Sequence, residues 1–214
     1  AMASSALSTS LRKSSASDWE AQNLSNTVWA FAALLIVHTP LIDAISAASQ
    51  ATLPDFDQQA LSSTAWSMAI LQVEDLPLLA AIASNVVLKM LEFLPQGISN
   101  TAWACAVLAF YDKPLFDALS AAACCKISAF DGQGLSNTAW SFALLHLRDL
   151  PLFHAISASA MLRMCEFEMT QNLSNMVWSF SMLAIADAPL LHALSECSID
   201  RIGEFTTQQL ANTC

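Results

Sequence analysis

Charge is the first thing this sequence is short of. Only 12% of its 214 residues are charged, and 8 Lys/Arg stand against 18 Asp/Glu, for a net charge of −10. That balance argues against a cationic groove gripping a phosphate backbone. Glycine is scarce, with 4 copies, which leaves no phosphate-cradling Gly loop. No apolar run reaches the roughly 20 residues of a membrane-spanning helix. Mean hydropathy is nevertheless positive, at +0.49. The best candidate, Val28 to Val37, is about half the required length and is flanked by Ser25, Asn26, His38 and Pro40. No CxxC pair, Ser/His/Asp constellation or paired-carboxylate motif is present, so no catalysis is expected. The six cysteines (Cys105, Cys124, Cys125, Cys165, Cys197 and Cys214) read as free thiols packed like small apolar residues, which suits a reducing compartment.

What the sequence has is hydrophobic residues, at 55%, with abundant Ala and Leu, a composition that favours buried helices. It also has a period. The phrase LSNTAW at Leu135–Trp140 returns as LSNTVW at Leu24, LSSTAW at Leu61, ISNTAW at Ile98 and LSNMVW at Leu173, and starts again as LANT at Leu210. Tryptophans at Trp29, Trp66, Trp103, Trp140 and Trp178 are spaced by 37, 37, 37 and 38 residues. Prolines at Pro40, Pro77, Pro114, Pro151 and Pro189 follow the same spacing. So do phenylalanines at Phe56, Phe93, Phe130, Phe167 and Phe205. Three markers with one period define a repeat array.

Each unit reads as two helices. Helix A carries an apolar stripe, as in Leu135, Ala139, Phe142 and Leu145, or Leu24, Val28, Phe31 and Leu35. Helix B is announced by Asp75, Asp112, Asp149 or Asp187 two residues before the proline, an N-cap followed by Pro in the first turn. Asp131 and Thr206 are placed to cap the following helix A. A single hairpin of this size cannot bury both apolar faces, whereas stacked copies can. The expected fold is therefore an all-α α-solenoid of about five and a half repeats. They span approximately 20–57, 58–94, 95–131, 132–169 and 170–206, with a partial repeat over 207–214. Residues 1–19 read as a disordered or extended segment. Its Ala/Ser-rich start with Arg12 and Lys13 and no acid up to Ser17 also suits the remnant of an organellar targeting peptide. The half helix at the end implies a longer array or a covering partner.

The unit Gln-x-Leu-Ser/Ala-Asn-Thr-x-Trp-Ala/Ser-Phe, then Pro-Leu and a closing Glu-Phe, resembles octotricopeptide-type repeats. It also resembles the leucine-rich helical repeats of FAST-kinase-like and RAP-domain proteins. The resemblance covers Gln22 to Thr213. It implies binding of organellar RNA, in chloroplast or mitochondrion, in support of transcript stability, processing or translation. A protein-binding scaffold or accessory subunit of a large organellar complex is the alternative, favoured by the acidity.

On the helical wheel Gln22 and Asn26 lie opposite the core stripe, and the later repeats place Gln59 and Ser63, Gln96 and Asn100, Gln133 and Asn137, and Gln171 and Asn175 there. Stacking aligns them into polar rows beside a small-residue row of Ala30, Ser67, Ala104, Ser141 and Ser179. Amides can read the base edges of single-stranded RNA, with the small residues leaving room for approach. The same rows can instead serve as a ladder tying repeats together. Lys89, Lys126, Arg163 and Arg201 stand four residues before the repeat's Phe as a candidate phosphate stripe, or pair locally as Lys89–Glu92, Arg163–Glu166 and Arg201–Glu204. The tryptophans, next to the stripe, are read as core. His154 and His192, with Asp117 one repeat earlier, stand about 10 Å apart by helix-packing distance. Metal bonds of about 2 Å do not fit that spacing, so no metal or cofactor is expected.

Overall fold

The computed structural model describes residues 21–164, 167 and 169–213. Among them every regular element is helical, and the chain divides into two compact units, Ala1–Phe93 and Leu94–Cys214. The first holds two hairpins: α1 (Ala21–Ala33) with α2 (Thr39–Thr52), and α3 (Gln58–Ile70) with α4 (Leu76–Lys89). The second holds α5 (Pro95–Val107) with α6 (Lys113–Lys126), α7 (Gly132–Leu144) with α8 (Leu150–Leu162), and α9 (Thr170–Met182) with α10 (Ala188–Asp200). It closes with α11 (Thr207–Thr213). The odd-numbered helices are the A helices and the even-numbered ones the B helices.

Within each unit A stacks on A and B on B. In the first, α1 packs on α3 and α2 on α4; in the second, α5, α7, α9 and α11 form one layer and α6, α8 and α10 the other. This is the α-solenoid stacking that the period predicts. The repeat phenylalanines Phe56, Phe93, Phe130 and Phe167 are fully buried, the first three in extended backbone just past a B helix. The caps form as expected. Asp75, Asp112, Asp149 and Asp187 accept from the amides of Leu78, Leu115, Leu152 and Leu190 at 2.8–3.1 Å. Asp131 caps Gly134 at 2.7 Å, and Thr206 forms a reciprocal box with Gln209. The first repeat substitutes His38, whose Nδ1 accepts from Leu41 at 3.2 Å.

One feature of the hairpin was not legible in the pattern. Each of the five A helices that leads into a B helix ends in a left-handed residue, and none is glycine: Leu35, Gln72, Ala109, His146 and Ala184, with φ between 50° and 56°. Each turn carries both Schellman bonds, as in Phe110 to Cys105 at 2.8 Å and Ala109 to Ala106 at 3.1 Å. This corrects the stripe at both ends. Leu35 lies past the end of α1 and is 73% exposed rather than core, and Leu145 is only half-buried as the cap of α7. Phe31 is half-buried where Met68 in the next A helix is fully buried, because among the described residues no helix of its unit stacks on the outer side of α1.

Candidate binding surface on the A helices

The A helices contain no charged residue; among the described residues the acids and bases sit on B helices and at the junctions. Their outward face is built from amides and indoles. Gln22, Gln59, Gln96, Gln133 and Gln171 are exposed. Asn26 is exposed as well, and Ser63, Asn100, Asn137 and Asn175 are half-buried. Each tryptophan lies three residues beyond the Asn or Ser, so Gln, Asn/Ser and Trp fall at i, i+4 and i+7 on one stripe. Trp29 is 51% exposed, while Trp66, Trp103, Trp140 and Trp178 are half-buried. The indoles of Trp140 and Trp178 stand 6.4 Å apart.

The expectation that the tryptophans are core is corrected accordingly. The stacked A helices close their interface with the small residues, and the large rings are displaced onto the rim. The small-residue row is corrected in the opposite sense. Ser67, Ala104, Ser141 and Ser179 are fully buried and only Ala30 is exposed, so the row lets neighbouring backbones approach rather than admitting a ligand. The three serines satisfy themselves on the carbonyls of Ser63, Asn137 and Asn175 at 2.5–2.7 Å. The i, i+4, i+7 spacing of Gln, Asn and Trp was the available signal for the indole row. Reading Trp beside the apolar stripe obscured it.

The amides differ along the array. The side-chain amides of Gln22, Asn26, Gln59, Gln96, Asn100, Gln133 and Asn137 hold no hydrogen bond to a described residue. At the last step they are spent. Gln171 donates to Asn175 at 2.7 Å, and Gln209 donates to Gln171 at 3.0 Å. The polar groups that do lock repeats together lie elsewhere, as where Ser136 of α7 donates to Asn172 of α9 at 3.2 Å.

The cation row has a structural occupation. Lys89 donates to the carbonyls of Pro54 and Phe56 at 2.7 and 2.6 Å, and Arg163 donates to those of Ser128 and Phe130. Arg201 donates to the Phe167 carbonyl at 2.5 Å and pairs with Glu204 at 2.6 Å. Lys126 is half-buried at the end of α6. Of the expected local pairs, Arg201–Glu204 is formed and Lys89 reaches carbonyls rather than Glu92. Glu166 lies outside the described residues, as do Cys165 and Cys214. Cys105 is buried, Cys124 and Cys197 are half-buried and Cys125 is exposed, so packing as small apolar residues holds fully only for Cys105. His154 is exposed, and His192 pairs with Glu196 at 3.2 Å. Among the described residues no three His, Cys, Asp or Glu are grouped to hold a metal ion, and no helix is long and apolar enough to cross a membrane.

No curated protein matches the chain. A family model does, over residues 10–131, more than half of the chain and from within the N-terminal segment through the third repeat. Its description is of an RNA-editing component rather than of octotricopeptide or RAP-domain proteins. The chain belongs to the RNA-editing substrate-binding complex 6 protein family.

Proposed function

We propose that the chain is a non-catalytic component of an RNA-editing substrate-binding complex, and that its A-helix stripe holds unstacked bases of single-stranded RNA. The observation that carries this reading is the Gln–Asn/Ser–Trp stripe, with part-exposed indoles beside amides that, up to Asn137, hold no hydrogen bond to a described residue. Indoles stack on any base and amides bond to base edges. Because the unit hardly varies, the preferred target is monotonous in sequence. The family supports the RNA and complex-subunit parts of the reading; the organellar setting comes from the repeat resemblance, and RNA editing favours the mitochondrion over the chloroplast.

Uncharged A helices change what salt should do. Binding through phosphates weakens steeply as salt rises, with a slope near 0.7 per phosphate contacted on single strands. Base contacts on a neutral face release few ions. Tryptophan fluorescence titrated with homopolymer RNAs at 50 and 200 mM salt tests the reading. Quenching with a shallow salt slope is expected, weakened by Asn137→Ala and Gln133→Ala. No quenching by any homopolymer at low salt would sink it. The acidity and the absence of Lys and Arg from the A helices favour a second reading, a scaffold whose stripe takes an apolar protein surface. Under it a partner protein, and no RNA, would quench the indoles.

A further inference from the structure

The repeat is uniform on its A face but not at its A–B turns. Position 111 and its equivalents carry Val37, Glu74, Tyr111, Arg148 and Ala186. The third and fourth repeats thus set the chain's single tyrosine beside an arginine in the same register. Between those two turns lies an open cavity of about 480 Å³, whose lining includes Tyr111, Phe116, Phe142 and Arg148 together with the carboxylates of Asp117 and Asp149. Its volume falls in the range that small-molecule sites occupy.

The walls have the chemistry for a planar, partly polar ligand. Tyr111 stands 5.8 Å from Phe116, which meets Phe142 edge-on at 5.3 Å, giving a continuous aromatic floor. Tyr111 is 51% exposed, and Arg148 is exposed without a hydrogen-bond or ionic partner among the described residues. The two carboxylates of the lining have partners of their own. Asp117 pairs with Lys113 at 2.6 Å, and Asp149 caps Leu152 and accepts from Ser120 at 2.5 Å. Both phenol and guanidinium planes stack on bases. Arg148 is the one cation among the lining residues, and its guanidinium is the group there that can meet a nucleotide's phosphate.

We propose that this cavity binds a single ribonucleotide, its base on the ring of Tyr111 and its phosphate on the Arg148 guanidinium. It is a subsite separate from the A-helix stripe, and it would fix one nucleotide of a strand that the uniform stripe holds without register. The proposal rests on the RNA reading for its ligand class, but its residues are distinct from those of the stripe.

The lone tyrosine makes the test clean. The full chain carrying 3-fluorotyrosine has one fluorine resonance, at Tyr111. It is titrated with uridine and adenosine 5′-monophosphates, with ten-residue oligo(U) and oligo(A), and with N-acetyltryptophanamide as a probe lacking phosphate, while indole fluorescence is read in parallel. A saturable shift with a monophosphate, reached at lower concentration with the oligonucleotide, is expected; a shift with the monophosphates alone would mark a free-nucleotide site. Arg148→Ala should weaken binding about tenfold, the scale of one charge-assisted contact, without moving the free resonance position far. A resonance that nucleotides leave unmoved while the indoles quench overturns the subsite and leaves the stripe standing. A shift without quenching upholds the subsite and removes the stripe. N-acetyltryptophanamide shifting the resonance as well as the monophosphates do, or Arg148→Ala without effect, overturns the nucleotide assignment.

Discussion

The ammonium of Lys89, in the last turn of α4, donates to the carbonyl of Phe56, 2.6 Å away and 33 residues earlier. Phe56 closes the preceding repeat, so the bond ties the end of one B helix to the loop that seals its neighbour. Arg163 makes the same connection to Phe130, and Arg201 to Phe167. A cation at this register therefore satisfies carbonyls that a 3₁₀ turn leaves open, while also opposing the helix dipole.

Removing that connection should cost stability. Lys89→Met keeps the apolar stem and deletes both bonds, and the expected loss is about 1–2 kcal/mol, the scale of hydrogen bonds to a charged donor discounted for partial exposure. Urea denaturation is the readout, with a lowered midpoint and an unchanged slope. If phosphate contact dominates instead, the variant will lose RNA affinity at low salt with its denaturation midpoint intact.

The helix caps give a second, sharper expectation. Asp149 accepts from the Leu152 amide at 3.1 Å through one oxygen and from Ser120, one repeat earlier, at 2.5 Å through the other. Asp149→Ala forfeits both, at a cost of about 1–2 kcal/mol. Asp149→Asn retains a cap acceptor and should recover about half of the loss in thermal denaturation. Ser120→Ala in the Asn background should then add little, since the two side chains act as a pair.

The hairpins, the caps and the stacking were legible because each repeats in phase: one Trp, one Pro and one Phe per 37 or 38 residues, with Asp two before the Pro in all but the first repeat. Whatever depends on the neighbouring repeat was not. The wheel places Ser141 and Trp140 side by side, yet the close approach of α7 to its neighbours buries the serine and leaves the indole at the rim. Lys89 has Glu92 three residues away in sequence, but its partners are 33 and 35 residues away, beyond any local rule. The cavity at Tyr111 and Arg148 comes from two turns in different repeats, so no contiguous motif marks it.

The left-handed turns also escaped notice, because the residue that normally signals them is missing. A non-glycine residue in the αL region costs about 1–2 kcal/mol; glycine relieves that strain in the folded state, less the part lost to its extra freedom in the unfolded chain. Ala109→Gly and Ala184→Gly should each therefore stabilise their unit by about 0.5–1 kcal/mol. Ala109→Val, β-branched at φ 50°, should destabilise it. Thermal melts of the three variants check the sign, and a glycine variant that melts lower than the parent would contradict the strain assigned to these turns.

The thiols separate by position. Cys105 is buried in α5, and burial, with Asp112 contributing, pushes its pKa up to about 12 from an ordinary 9.0. At pH 8 Cys105 is therefore held as the thiol, whereas the thiolate is the form that reacts; Cys125 is exposed. A thiol-reactive disulfide reagent should modify Cys125 in the folded protein and reach Cys105 only on unfolding. The same shift has a consequence for stability. Below pH 9 the thiol is protonated in both states and its contribution is constant. From pH 9 towards 12 the unfolded chain ionises Cys105 while the folded chain does not, so stability falls as pH rises through that window. Cys105→Ala lowers stability at neutral pH by opening a cavity, but it also removes this slope. The difference in denaturation midpoint between parent and variant should therefore narrow from pH 9 upward. A difference that stays constant would mean that Cys105 titrates alike in both states, in contradiction to its burial.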